Sequence, residues 1–206
     1  MYEVLHGIRS QLHLSGHWMA WNLVLAVIPW FLAAVLFRPG RRVGVAWWLE
    51  LAAFIALLPN AAYVLTDIIH LPGAVRGEPS NSVVFAAILP MYAALFIIGF
   101  TAYCDSLRRM TEWLHSRGWI TRRWLLETGV HAIVALAIYV GRVHRFNSWD
   151  LVFRPGLVAD RTIEGLTRPL AAASMLFVFC ALTVGYTIMR PVLDRFLPVR
   201  NLEPVS

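Results

Sequence analysis

Five apolar runs constrain this sequence more than any other feature, each close to the roughly 20 residues that a helix needs to cross about 30 Å of hydrocarbon. They cover about 18–37, 43–65, 83–104, 124–140 and 169–189. In lipid such runs must satisfy their own backbone hydrogen bonds, which helices do within one segment. The expected fold is all-α, a polytopic transmembrane helical bundle of about five spans. Composition agrees, with 59% of residues hydrophobic and 15% charged, against roughly 25% charged in ordinary soluble domains. The spans take up about half of the 206 residues, so these residues hold no separate soluble domain of ordinary size.

Three parts follow from this spacing: an N-terminal interfacial segment at 1–17, a transmembrane domain at 18–190 and a C-terminal tail at 191–206. The first run is longer than a signal-peptide core and lacks a basic stretch before it, so it is expected to be retained. Arg38-Pro39-Gly40-Arg41-Arg42 stops it. The polar stretch from Asp105 to Arg123 carries Leu107, Met110, Trp113 and Leu114 at helical spacing. It reads as a helix end or a short interfacial segment. Between the last two spans, Gly141 to Arg168 is the longest connection, and Trp149, Leu151, Val152 and Phe153 place it at the membrane surface.

All 18 basic residues are arginine, which excludes lysine chemistry. A net charge of +6 could serve nucleic acid, but these arginines sit in short loops between spans, where they act as topology signals. No nucleic-acid partner is expected; the partner is the lipid bilayer. One side receives 11 arginines and the other 7, so the N terminus is expected outside and the C terminus inside. Cys104 and Cys180 lie within spans without metal-ligand spacing, so neither a disulfide nor a zinc site is expected from them.

Two polar clusters stand out. In Leu58-Pro59-Asn60-Ala61-Ala62-Tyr63-Val64-Leu65-Thr66-Asp67-Ile68-Ile69-His70, offsets of 0, 3, 7 and 10 put Asn60, Tyr63, Asp67 and His70 on one helical stripe. Pro59 removes a backbone donor, so a local opening is expected there. The second cluster, Gly141-Arg142-Val143-His144-Arg145-Phe146-Asn147-Ser148-Trp149-Asp150, follows the fourth span. Two full crossings separate the ends of spans two and four, so both clusters share one membrane face whichever way the protein is oriented.

With these two motifs and the early Trp21-Asn22-Leu23, Leu25-Ala26 and Pro29, the chain resembles the bacterial membrane family catalogued as domain of unknown function 1361. The likeness covers roughly Trp18 to Met189. It implies an integral membrane protein, here of the bacterial cytoplasmic (inner) membrane, and carries no established activity.

The shared face supports three readings. Asp67, His70 and Asp150 are candidate catalytic residues and also candidate ligands for a divalent metal, because imidazole and carboxylate together suit zinc or manganese. Alternatively Arg142 and Arg145, with His144, Asn147, Asn60, Tyr63 and Trp149, make a fork for an anionic lipid or lipid-linked substrate. Asp67 or His70 would then act as general base for phosphoryl or acyl transfer. In the non-enzymatic reading the same carboxylates and arginines close the bundle as ion pairs. The third reading, a small transporter, turns on Glu50, about 10 Å into its span at about 1.5 Å per residue. Arg41, Arg42 or His131 are its expected partners, while Glu127 is expected to reach water. His13 and His17 sit four apart before the first span, where surface histidines are ordinarily solvated.

Overall fold

The computed structural model describes residues 2–78, 80–144 and 153–199. Helix α1 (Tyr2–Leu36) is followed by α2 (Val45–Tyr63), which tightens into a 3-10 stretch at Val64–His70 and resumes as α3 (Leu71–Gly77). The single turn α4 (Asn81–Val83) leads through a π-helical turn, Val84–Ile88, into α5 (Leu89–Ser116). Then come α6 (Arg123–His144), α7 (Pro155–Leu166) and α8 (Pro169–Phe196). No strand occurs among the described residues.

Five helical stretches are long and apolar enough to span a bilayer: Gly16–Leu36, Val45–Gly77, Asn81–Ser116, Arg123–Arg142 and Pro169–Phe196. The protein is a multi-pass membrane protein. We call the side with the start of the first span and the ends of the second and fourth the N-terminal face, and the opposite side the C-terminal face. The third span runs well past its expected end at Cys104, because the polar stretch from Asp105 continues as α5. Helix α2 passes through Pro59, and the winding changes only after Tyr63.

Small residues set the packing distances. Ala26 and Ala33 of α1 are wholly buried, as are Ala61 and Ala62 of α2, and side chains of this size let membrane helices approach closely. Gly99 of α5 makes the tightest fit, since a Cβ there would stand 2.9 Å from the Val64 Cβ. Around these contacts, Phe54, Leu58, Leu95, Tyr103 and Leu107 fill the core. Helix α7 lies against α6 and α8, its Val158 buried with Tyr139, Val140 and Ala171. Helix α8 turns Leu176, Phe177, Val184 and Ile188 outward. In lipid these exposed side chains carry no hydrophobic penalty.

Two glycines turn the loops of the C-terminal face. Gly40 has φ +71° and Gly118 has φ +69°, a left-handed conformation that costs an L-residue about 1–2 kcal/mol. Each follows its helix by a few residues, as a helix-terminating glycine does.

Candidate functional site

The N-terminal-face centre forms where the backbone is irregular. A 3-10 stretch of 7 residues is longer than the usual run of about 3–4, and tertiary bonds hold it. Asp67, 1% exposed, accepts a hydrogen bond at Oδ2 from Asn22 Nδ2 of α1 at 3.0 Å. Its Oδ1 accepts from Arg142 Nη2 of α6. Arg142 Nε donates to Thr66 Oγ1 at 2.9 Å, and the Thr66 hydroxyl donates to the Tyr63 carbonyl at 2.6 Å. The guanidinium carbon lies 4.1 Å from the centroid of the Tyr63 ring. One arginine is therefore gripped by an ion pair, a hydroxyl and an aromatic face, all from a single turn of chain.

Spans two and four, whose ends the parity of crossings puts on one face, meet here through Asp67 and Arg142. Of the stripe read from the sequence, Tyr63 and Asp67 reach Arg142. His70 is exposed, and its ring lies edge-on to Trp18 with centroids 5.5 Å apart. Asn60 is half-buried and takes no part in the bonds to Asp67 among the described residues. Arg145, Asn147, Trp149 and Asp150 lie outside the described residues, as does the side chain of His144. Among the described residues no three His, Cys, Asp or Glu side chains cluster as metal ligands do. Asn22 belongs to the centre although helical spacing around Asp67 gives no hint of it. Its signal was a lone amide inside an apolar run, which in a membrane helix marks an interhelical hydrogen bond.

A second polar assembly occupies the C-terminal half of the bundle interior. Asp105 and Arg108 are both fully buried. Asp105 Oδ2 accepts from Trp30 Nε1 of α1 at 2.7 Å and from Arg109 Nε at 2.6 Å, while its Oδ1 pairs with Arg108 Nη2 at 2.5 Å. Arg108 also reaches α8, pairing with Asp194 at 2.7 Å and donating to the Leu197 carbonyl, which caps that helix. One turn further along α5, Glu112 binds Arg123 at 2.7 Å and Arg190 at 2.8 Å. Arg190 continues to Glu127 at 2.6 Å, and Tyr186 donates to the same Glu127 oxygen at 3.0 Å.

The expectations for the remaining polar residues of the spans fare differently. Glu127 is 8% exposed and held by α8 rather than open to water. His131 is buried with Nδ1 2.7 Å from the Tyr103 hydroxyl. Glu50 pairs with Arg41 at 2.5 Å, one of its expected partners. The spacing of Asp105, Arg108 and Arg109, three and four apart, was the available signal for this network.

Chemically, the N-terminal-face centre is an oriented guanidinium. Both Asp67 oxygens accept a hydrogen bond, and Asp67 acts as a positioning group for Arg142. Its partner is better placed to meet a ligand, since the Arg142 side chain is 23% exposed.

No curated protein and no solved structure matches the chain. A family match covers residues 21–184, a stretch that holds Asn22, Asp67 and Arg142 as well as Asp105, Arg108 and Glu127. The chain belongs to the family described as a protein of unknown function, DUF1361.

Proposed function

We propose that the chain is a non-enzymatic structural or accessory membrane protein whose N-terminal-face centre is a clamp joining the first, second and fourth spans. One observation carries this reading: Asp67, 1% exposed, is bonded from both sides by Asn22 and Arg142. A buried carboxylate saturated in this way fixes helices against each other. In this reading the N-terminal face is the outer side of a bacterial cytoplasmic membrane, supported by the count of 11 arginines against 7. The test is a double-mutant cycle on reversible unfolding in bicelles. Asp67→Asn and Arg142→Gln each lower stability by about 1–3 kcal/mol, and the double variant loses much less than the two losses together. Wild-type stability in both single variants overturns the clamp.

A second reading, a site for an anionic lipid-linked substrate, is favoured by the partial exposure of Arg142 and the exposure of His70 on the same face. There Asp67 orients Arg142, Arg142 and Arg145 hold the anionic head group, and Asn60, Tyr63, Asn147 and Trp149 line it. His70 or Asp150 supplies the base or a ligand for a divalent metal. A long-chain polyprenyl phosphate in nanodiscs is the probe. This reading expects saturable binding that Arg142→Gln abolishes, and equal binding by wild type and variant sinks it.

A further inference from the structure

The loops of the C-terminal face are far apart in the sequence but interlocked in space. Arg117 Nη2 donates to the Arg41 carbonyl at 2.5 Å, and Trp113 Nε1 donates to the Arg38 carbonyl at 3.2 Å. Their glycine turns hold Arg38, Arg42 and Arg122 exposed, while Arg117 stacks over Trp113 at 4.1 Å. Among the described residues none of these four arginines pairs with a carboxylate; Glu50 and Glu112 are taken by Arg41, Arg123 and Arg190. Donors outnumber acceptors even beneath this surface, where Arg41 Nε and Arg123 Nε are buried without a hydrogen bond.

Beside the arginines stands an apolar wall. Trp48 and Trp119 stack with ring centroids 6.3 Å apart and planes 14° apart, and they are 55% and 48% exposed. Val45 and Leu49 continue this outward face of α2, 79% and 69% exposed. Tryptophan belongs at the head-group level, and the next turn of α2 faces acyl chains.

We propose that this face is a specific binding site for an anionic phospholipid. Its phosphate lies among Arg38, Arg42 and Arg122, and an acyl chain runs along Val45, Trp48 and Leu49. Topology alone asks only for positive charge near the span ends. It does not ask that two loops be tied together, nor that an exposed stacked tryptophan pair flank them. The site is on the opposite face from the Asp67 centre, so neither proposal depends on the other.

The test is native mass spectrometry on the full chain in detergent, titrated with phosphatidylglycerol and with phosphatidylcholine. Wild type retains phosphatidylglycerol preferentially. The R38Q/R42Q/R122Q variant binds it at least about tenfold more weakly, as expected for losing several arginines near a phosphate. The charge-matched variant R76Q/R154Q/R161Q, on the other face, keeps wild-type binding, and millimolar inorganic phosphate does not displace the lipid. Wild-type binding by R38Q/R42Q/R122Q overturns the proposal, as does equal loss in the charge-matched variant or displacement by phosphate alone. If R38Q/R42Q/R122Q does not fold, R42Q and W48A carry the test separately. Each is then expected to weaken binding severalfold, and unchanged binding in both is the overturning result.

Discussion

The two ends of the bundle interior handle charge in opposite ways. On the N-terminal face one carboxylate and one guanidinium meet, presented by a 3-10 stretch whose winding the neighbouring helices hold in place. Toward the C-terminal face four acids and four arginines are spread over regular helices in two adjacent groups, one centred on Arg108 and Asp105 and the other on Glu112 and Arg190. In a low-dielectric interior an unpaired charge is very costly, and both arrangements avoid one. The single pair does so with few partners and leaves its arginine partly exposed. The C-terminal-half ion pairs share their charges among more partners, Trp30 and Tyr186 included, and bury Asp105 and Arg108 completely while leaving Asp194 55% exposed. The Asp105–Arg108 pair, buried on both sides, holds helices together, whereas the Asp67–Arg142 pair leaves its arginine open to a ligand.

That contrast is most directly broken at Arg108. Arg108→Met takes the buried guanidinium from the buried Asp105 and its bond from the end of α8, and the expected loss is about 3–5 kcal/mol. Reversible unfolding in bicelles measures it. A loss smaller than that of Asp67→Asn would reverse the ranking of the two centres. Next in size is Gly99→Ala, which sets a methyl group 2.9 Å from Val64 at the start of the 3-10 stretch. Overpacking of this kind costs about 1–3 kcal/mol. The matched control is Gly129→Ala, where nothing lies within 4 Å and stability should hold or rise by up to about 1 kcal/mol. Thermal melts of the two variants side by side would expose any failure of the notch.

Asn22→Ala removes one interhelical hydrogen bond to Asp67. Such bonds in membrane proteins average about 0.6 kcal/mol, so its melt should shift less than that of Asp67→Asn; an equal shift would mean that Asn22, rather than Arg142, dominates the clamp. Smallest of all is Arg161→Gln. Its pair with Glu164 is exposed at 49% and 36%, and a change beyond about 0.5 kcal/mol would show that surface pairs on α7 matter as much as interior ones.

Much of the fold was legible because a bilayer imposes a fixed length on every crossing. The apolar runs ended close to the helices of spans one and four, while spans two, three and five run on to Gly77, Ser116 and Phe196, and the parity of crossings put Asp67 and Arg142 on one face. What was not legible shares one cause. An arginine that marks topology and an arginine buried against another helix look the same along the chain. Along the chain Arg108 and Arg109 count among the arginines that mark topology, yet both pair with Asp105. Glu127 was hidden likewise, because its partners Tyr186 and Arg190 lie a whole span away. The place of the irregular winding also escaped. Pro59 marks where a helix can open, whereas packing of Val64 on Gly99 and the grip on Arg142 accompany the tightening that follows.

The interior network also bears on the order in which the protein is made. Before the last helix is synthesised, Asp105 can already pair with Arg108 and Arg109, and Glu112 with Arg123, while Glu127 still lacks its arginine. Helix α8 then contributes one charge of each sign, Arg190 and Asp194. The acids and arginines of this region balance in number at each stage, while Glu127 waits for Arg190. The arrival of the fifth span completes the ion pairs of Glu127 and Arg108 and draws the final helix into place.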